Sequence, residues 1–260
     1  MRDTSARRER ILSMLKENGS AQVQHLTELF NVSAVTIRKD LKYLDKRGIA
    51  TRTYGGAILN DTNIPVAEKN IEFKQRLNIK EKCNIANAAA ELVEPGDSII
   101  LDSGTTTYLI AEQLQDKENI TVVSNDLNAI HQISHYDNLQ LLVLGGTLRR
   151  KNMSLFGSQA EHALKDLHVD KLILGVDGFH MEKGITTHFE AEAILNRMMC
   201  NAASEIIVVT DSSKFNKICL HKIVASTGIS TLVTDDGIPV DYRENLMRQG
   251  VNVIVVEANE

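Results

Sequence analysis

No apolar run in the chain is long enough to span a bilayer, and the opening stretch MRDTSARRERIL is charged where an export signal would be apolar. The expectation is therefore a protein of the cytoplasm with no membrane partner. Cysteine is scarce too: Cys83, Cys200 and Cys219 are far apart, odd in number and form no C-x-x-C pair. That excludes a disulfide framework and leaves idle or buried thiols in a reducing compartment. No G-x-x-x-x-G-K-[ST] phosphate loop occurs, nor any internal repeat or low-complexity segment. His131 and His135 share a face of the helical stretch NAIHQISH, but no third ligand accompanies them, so neither metal nor cofactor is expected.

What is present is ordinary in bulk and uneven in distribution. With 260 residues, 43% hydrophobic and 24% charged, the chain has room for a small domain followed by a medium one. Residues 1–60 hold 11 Lys/Arg against 6 Asp/Glu, a net +5, while residues 61–260 hold 18 against 28, a net −10. A basic head on an acidic body points to a polyanion partner for the head alone.

Three helical patterns follow one another in that head. Ile11, Leu12 and Leu15 share a face before Gly19; Val23, Leu26 and Phe30 share the next, with Ser20 as candidate N-cap; then SAVTIRKDLKYLDKRG runs from the candidate N-cap Ser33 to Gly48. In the third helix Ile37, Leu41 and Leu44 form a core stripe, and Val35, Lys39 and Lys42 project from the opposite side, flanked by Thr36 and Arg38. A hydroxyl and an arginine near a helix start suit phosphate contact and base-edge readout. The segment IATRTYGGAI alternates and reads as a wing hairpin carrying Arg52 and Tyr54. Helix, helix, short turn, helix, wing is the plan of a winged helix-turn-helix, and double-stranded operator DNA is the expected partner. The stretch resembles the signature of the DeoR family of bacterial transcription regulators. That resemblance implies that Thr36, Arg38 and the neighbouring face enter the major groove; Asp40 fits the motif, but phosphates repel a carboxylate, so it is expected to cap or pair locally.

Residues 60–80 are polar and read as a linker passing into a helix. Beyond them the expected strands are SIILD (98–102), ITVVSN (120–125), LQLLVLGG (139–146), KLILGVDG (171–178), EIIVVTDS (205–212), TLVTDD (231–236) and VNVIVVE (251–257). Runs apolar on both faces imply a mainly parallel sheet covered by helices. The expected domains are 1–59 for DNA binding, 60–80 as linker and connecting helix, and 81–260 as an α/β sensor.

The strand ends suggest a ligand crest, since open α/β sheets bind ligands outside the carboxyl ends of their strands. Candidates are Asp102, Ser103 and Gly104, then Ser124 and Asn125, Gly145 and Gly146, Asp177 and Gly178, and Asp211 with Lys214. Thr105, Thr106 and Thr107 add hydroxyls and amides at a helix N-terminus, which favours an anion. A small, hydroxylated, anionic ligand fits, and a sugar phosphate satisfies all three terms. GGTLRRKN is a basic cluster that suits phosphate, a dimer surface or water equally.

The DeoR resemblance extends through LDSGTTT, GGTLRR, GVDG, GITTHFEAEA and VTDSSKF, and implies a C-terminal sensor related in fold to ribose-5-phosphate isomerase that binds phosphorylated sugars. NRMMC, and VTDSSKFN followed by LHKI, resemble the amino-sugar branch, which favours galactosamine 6-phosphate or N-acetylgalactosamine 6-phosphate as effector. The isomerase relatives suggest a proton-transfer set at Asp177, Lys183 and Glu192. Here, however, their second acid is replaced by His180 and their glycine-rich run by GITTHFE. The expectation is a binding descendant, not an enzyme, in which those three residues hold sugar hydroxyls or only each other. A homo-oligomer, dimer or tetramer, that represses carbohydrate genes is the expectation. An isomerase, or an activator built from the same parts, is the alternative.

Overall fold

A computed structural model describes residues 4–18, 20–47, 49–53, 55–59 and 71–257. The chain divides into two units, residues 1–69 and 70–260. Gly19, Gly48, Tyr54 and residues 60–70 of the expected linker lie outside the described residues, as do the side chains of Ser20 and Arg52.

The first unit runs α1 (Thr4–Asn18), β1 (Ser20–Gln22), α2 (Val23–Phe30), α3 (Ala34–Lys46), β2 (Ala50–Thr53) and β3 (Gly56–Leu59). Ile11, Leu15, Leu26, Phe30, Ile37, Leu41 and Leu44 meet in one buried core, as the helical spacing demands. The turn between α2 and α3 is made by Asn31, which adopts φ 50°, a left-handed conformation that asparagine tolerates, and returns its N–H to the Thr27 carbonyl. Ser33 caps α3, its hydroxyl accepting from the Thr36 amide. Ser20 does not cap α2. It lies in β1, which pairs antiparallel with β3 as Ser20↔Ile58, Ala21↔Ala57 and Gln22↔Gly56. Gln22 stands at the cap position with no side-chain bond. The non-local ladder outcompeted the local cap, and no pattern in SAQ announces it. Gly56 is required there: a Cβ would lie 2.1 Å from the Ala21 carbonyl oxygen.

The second unit begins with α4 (Ile71–Arg76) and α5 (Ile79–Glu91), separated by Asn78 at φ 51°. There follow β4 (Ser98–Leu101), α6 (Thr105–Gln113), β5 (Ile120–Ser124), α7 (Leu127–Ile133), β6 (Leu139–Val143), β7 (Thr147–Arg149), β8 (Ser154–Phe156) and α8 (Ser158–Leu164). The chain continues through β9 (Val169–Gly175), β10 (Gly178–His180), β11 (Gly184–Thr187), α9 (Glu190–Ala202), β12 (Ala203–Val209), β13 (His221–Val224), β14 (Thr231–Asp235), α10 (Val240–Arg248) and β15 (Asn252–Val256).

The seven expected strands form one parallel sheet in the order β15-β14-β12-β9-β4-β5-β6. Alternate residues of each inner strand feed two cores. Ile100, Leu172, Leu174 and Val208 pack on the side of α8, α9 and α10, and Ile99, Leu101, Ile173, Ile207 and Val209 on the side of α5, α6 and α7. Both faces are covered, which is why the strands read as continuous apolar runs. The order reverses between β4 and β9, so the crevice at their carboxyl ends is the topological switch point where such sheets receive ligands. A small antiparallel sheet, β10-β11-β13, and the hairpin β7-β8 stand beside it.

In the first unit, Asp40 sits 1% exposed in the middle of α3 and is held by two arginines of α1: Arg7 Nε to Oδ2 and Arg8 Nε to Oδ1, each 2.7 Å. The pairing is not local, as the sequence suggested, but spans more than thirty residues. Arg8 also stacks 4.0 Å over the Tyr43 ring. Asp40→Ala removes the buried carboxylate that Arg7 and Arg8 share, so the first unit should lose about 3 kcal/mol or more. Chemical denaturation of the full chain, followed by a probe in residues 4–47, measures it; a change under half a kcal/mol, about the scale of an ordinary surface substitution, would show that α1 and α3 do not depend on the pair.

Candidate functional site

The face of α3 opposite its core stripe is as the spacing required. Val35, Arg38, Lys39 and Lys42 are exposed, Val35 by 59%. Ser33 and Thr36 are partly committed to the cap, with 2.9 Å between their hydroxyls. Arg52 lies in β2, paired with Ala57 of β3. The wing and α2 are joined where the Val23 amide donates to the Gly55 carbonyl. This exposed, basic helix beside a hairpin is suited to a nucleic-acid groove.

The second site is a cleft of about 580 Å³, part of it open to solvent, at the switch point of the sheet. Its floor is the turn Ser103-Gly104-Thr105-Thr106 after β4 and the segment Gly175-Val176-Asp177 after β9; the end of β12 contributes Thr210, Asp211 and Lys214. Gly104 is the N-cap of α6. The first amides of a helix have no carbonyl four residues back, so the N-terminus is a ready anion site. The turn is fixed from below by Asp126, which accepts from the Gly104 amide (3.1 Å) while capping α7 through the Asn128 and Ala129 amides. Burial raises the Asp126 carboxyl to about 6.

Three lysines face the cleft: Lys74 from α4, Lys82 from α5 and Lys214. Lys74 Nζ donates to Asp177 Oδ1 at 2.8 Å, and Thr187 Oγ1 donates to Oδ2 at 3.0 Å. Asp211 accepts from the Asn78 side chain at 2.8 Å and from the Ser213 amide. Burial alone would raise both carboxyls. Lys74 and Lys214 outweigh it at Asp177, Lys214 chiefly at Asp211, and both are held below the usual carboxylate range. Lys82 is 4% exposed and donates to the Lys74 carbonyl at 2.6 Å. Burial lowers it to about 8; Asp211 opposes the shift, and repulsion from Lys214 and Lys74 adds to it. Glu192, at the start of α9, is bound by Arg149 of β7, whose guanidinium lies 4.2 Å over the Phe189 ring. Ser103 Oγ and Asn152 Oδ1 line the cleft, buried and without a hydrogen-bond partner among the described residues.

Of the sequence candidates, the structure brings together Ser103, Gly104, Thr105, Thr106, Asp177, Glu192, Asp211 and Lys214 around this cleft. The others lie off it. Asp102 is buried beneath the floor and accepts from Asn196 of α9 at 3.4 Å; burial, then the charges of Glu192 and Asp126, push its carboxyl well above the usual range. Thr107 turns its hydroxyl to the Gly104 carbonyl, Ser124 to the Leu101 carbonyl, and Asn125 donates to the Leu155 carbonyl. Gly145 precedes Gly146, which adopts φ 125° against the Phe156 carbonyl, a turn geometry that needs no ligand. At Gly178 a Cβ would lie 2.7 Å from the Lys217 carbonyl oxygen, so a close backbone contact accounts for that glycine.

Asp177, Lys183 and Glu192 do not assemble. The hairpin pairing His180↔Gly184 carries Lys183 to an exposed turn, and Asp177 and Glu192 are held instead by Lys74 and Arg149. Within GGTLRRKN, Arg149 is committed to Glu192, and the Lys151 carbonyl accepts the Ile71 amide. Lys74, Lys82, Asn152 and Thr187 were not singled out by sequence. His131 and His135 touch edge to face at 4.9 Å, and among the described residues no cluster of three or more His, Cys, Asp or Glu could hold a metal. Among those residues no helix is long and apolar enough to cross a membrane.

Residues 7–63 match the model of the DeoR-like helix-turn-helix domain and residues 77–236 that of the DeoR C terminal sensor domain. The chain is 47% identical to the "Putative aga operon transcriptional repressor" of Escherichia coli O157:H7, over 97% of this chain and 94% of that one. It is 32% identical to the HTH-type transcriptional repressor GlcR of Bacillus subtilis (strain 168), over 96% and 95%. Among solved structures it is similar to ribose 5-phosphate isomerase A from Methanocaldococcus jannaschii, with 18% identity, a TM-score of 0.38 and coverage of 52% of this chain and 53% of that one. With both of its domains matched and relatives aligned over nearly its whole length, the chain belongs to the DeoR family and is a transcriptional regulator, not an enzyme.

Proposed function

We propose that the protein is a repressor of carbohydrate genes, those for amino-sugar utilisation, released or recruited by a phosphorylated sugar bound in the switch-point cleft. The observation that carries this reading is that a helix N-terminus and Lys74, Lys82 and Lys214 line the same cleft as Asn152 and Glu192. The helix N-terminus and the ammonium groups suit a phosphate, and the Asn152 amide and Glu192 carboxylate suit sugar hydroxyls or an amino substituent. The printed name of the Escherichia coli relative supports the amino-sugar class, with galactosamine 6-phosphate and N-acetylgalactosamine 6-phosphate as the favoured effectors. In this reading residues 1–59 bind operator DNA, with Ser33, Val35, Thr36, Arg38, Lys39, Lys42, Arg52 and Tyr54 at the interface; residues 60–80 connect, and residues 81–260 carry most of the sensor. A single head of this size makes a small interface, so a homo-oligomer engages repeated half-sites.

A thermal-shift panel of sugar phosphates, each paired with its free sugar, tests the reading. An effector present at 100 times its Kd stabilises the folded sensor by about 2.7 kcal/mol, seen as a raised Tm. A shift with either amino-sugar phosphate and none with the free sugars is expected; equal shifts with the free sugars would remove the anion from the account.

Effector affinity should fall as the pH rises through about 8, where Lys82 loses its charge. The sign follows from the ligand: an anion binds the protonated lysine and raises its pKa, so binding weakens where the free site is neutral. Calorimetric titrations across that range measure it, and a flat profile would take Lys82 out of the anion's environment.

At the DNA end, Arg38→Ala should weaken specific operator binding by about 1–3 kcal/mol if its guanidinium reads a base edge. Fluorescence anisotropy on an operator fragment and on a scrambled control separates this from a uniform loss, which would make Arg38 a phosphate contact.

A further inference from the structure

The short helix α4 is the first element after residues 60–70, through which the DNA-binding unit is attached, and it forms a wall of the cleft. Six residues of helix have no stability of their own in water. What holds α4 in place is a set of polar anchors, and most of them end on groups of the cleft. Lys74 reaches Asp177 across 103 positions of sequence. The Lys74 carbonyl takes the ammonium of Lys82, and Asn78, just beyond the helix, binds Asp211. At the other end the Ile71 amide donates to the carbonyl of Lys151, on the turn of the β7-β8 hairpin, and the Ile71 side chain is buried against the cleft.

We propose that α4 is the effector-responsive wall of this site. The anion of the ligand competes with Asp177 for Lys74, and the binding event thereby repositions the segment that leads to the DNA-binding unit. The inference rests on the sugar-phosphate reading of the cleft. The Lys74 and Asp177 side chains are 16% and 10% exposed, so their pairing is mostly shielded from water yet borders the opening. A phosphate group carries close to twice the charge of a carboxylate and three acceptor oxygens. An ammonium has three donors and turns freely between acceptors. A ligand shifts an equilibrium only through a difference in its contacts between two states, and the change of partner at Lys74 supplies that difference. Another part of the lining is built otherwise: Ser103 to Thr106 are fixed between β4, α6 and the carboxylate of Asp126. The ligand therefore meets one fixed surface and one held by polar anchors that include an exchangeable ion pair.

Hydrogen exchange of the full-length chain tests this, measured alone and with galactosamine 6-phosphate, N-acetylgalactosamine 6-phosphate or inorganic phosphate, with Kd from calorimetry in parallel. Exchange should slow at residues 103–107 and change at residues 71–82 with the same ligand. Slowing at 103–107 with residues 71–82 unaltered would overturn the inference while leaving the effector reading intact. No binding of any of these compounds would bring down both. A second arm uses Lys74→Met and Lys74→Arg. The methionine variant should bind the effector about tenfold more weakly or worse, since it loses a charge-assisted hydrogen bond, and should lose the exchange change at 71–82 even at saturation. The arginine variant should recover most of the affinity. A folded Lys74→Met chain with unchanged Kd would also overturn the inference.

Discussion

Opposite charges buried together at the carboxyl ends of the parallel strands set the form of the sensor unit. An ionised group taken out of water costs several kcal/mol unless a counter-charge and hydrogen bonds accompany it. The sheet ends in Asp177 and Asp211, and α9 begins with Glu192 beside them. Each needs a partner, and the partners come from elements outside the sheet: Lys74 from α4, Arg149 from β7, Lys214 from the turn after β12. The walls of the cleft are thus the elements that carry counter-charges to the strand ends. The cleft is lined by three lysines and three carboxylates, and Arg149 pairs with one of the acids.

The DNA-binding unit uses the same physics for a different end. Asp40 draws Arg7 and Arg8 toward the interior and ties α1 to the middle of α3. Those two arginines are among the eleven basic residues of the head, and their commitment leaves Arg38, Lys39 and Lys42 as the charges presented on the free face of α3. A helix that enters a groove must keep its register under the pull of phosphates, and a buried ion pair at its centre resists rolling.

Much of this was legible beforehand because it is local. The seven strands announce themselves by runs apolar on both faces, and α3 by a stripe at Ile37, Leu41 and Leu44. The turn after β4 was recognisable as a helix start because glycine and three threonines begin α6 there. Side-chain direction was also available and was missed at one place. Ile100 points to the α9 side of the sheet, and Asp102, two residues on, shares its parity; it meets Asn196 under the floor instead of a ligand above it. Lys74 and Lys82 could not be read. Nothing in NIEFKQRLNIKEK marks which of its lysines meets an aspartate a hundred residues away. Strand β1 was hidden for the same reason, since its partner β3 lies across the whole of α2 and α3.

The two sides of the cleft differ in what would be lost by moving them. The Ser103–Thr106 turn is joined to the central strand and carries the first residues of α6; its displacement would break strand order, the Asp126 cap of α7 and the apolar packing of Ile110 and Ala111 together. Helix α4 has only one buried apolar anchor among its described side chains, Ile71, and is otherwise tied by polar contacts, among them the ion pair of Lys74 with Asp177 and the Lys82 ammonium on the Lys74 carbonyl. A sensor needs this asymmetry. If both walls were rigid, ligand would bind without consequence, and if both were loose, no defined second arrangement would exist for binding to select. In the proposed coupling the weaker part of the lining lies next in sequence to the segment that leads to the DNA-binding unit, and the order of the sheet need not change for α4 to move.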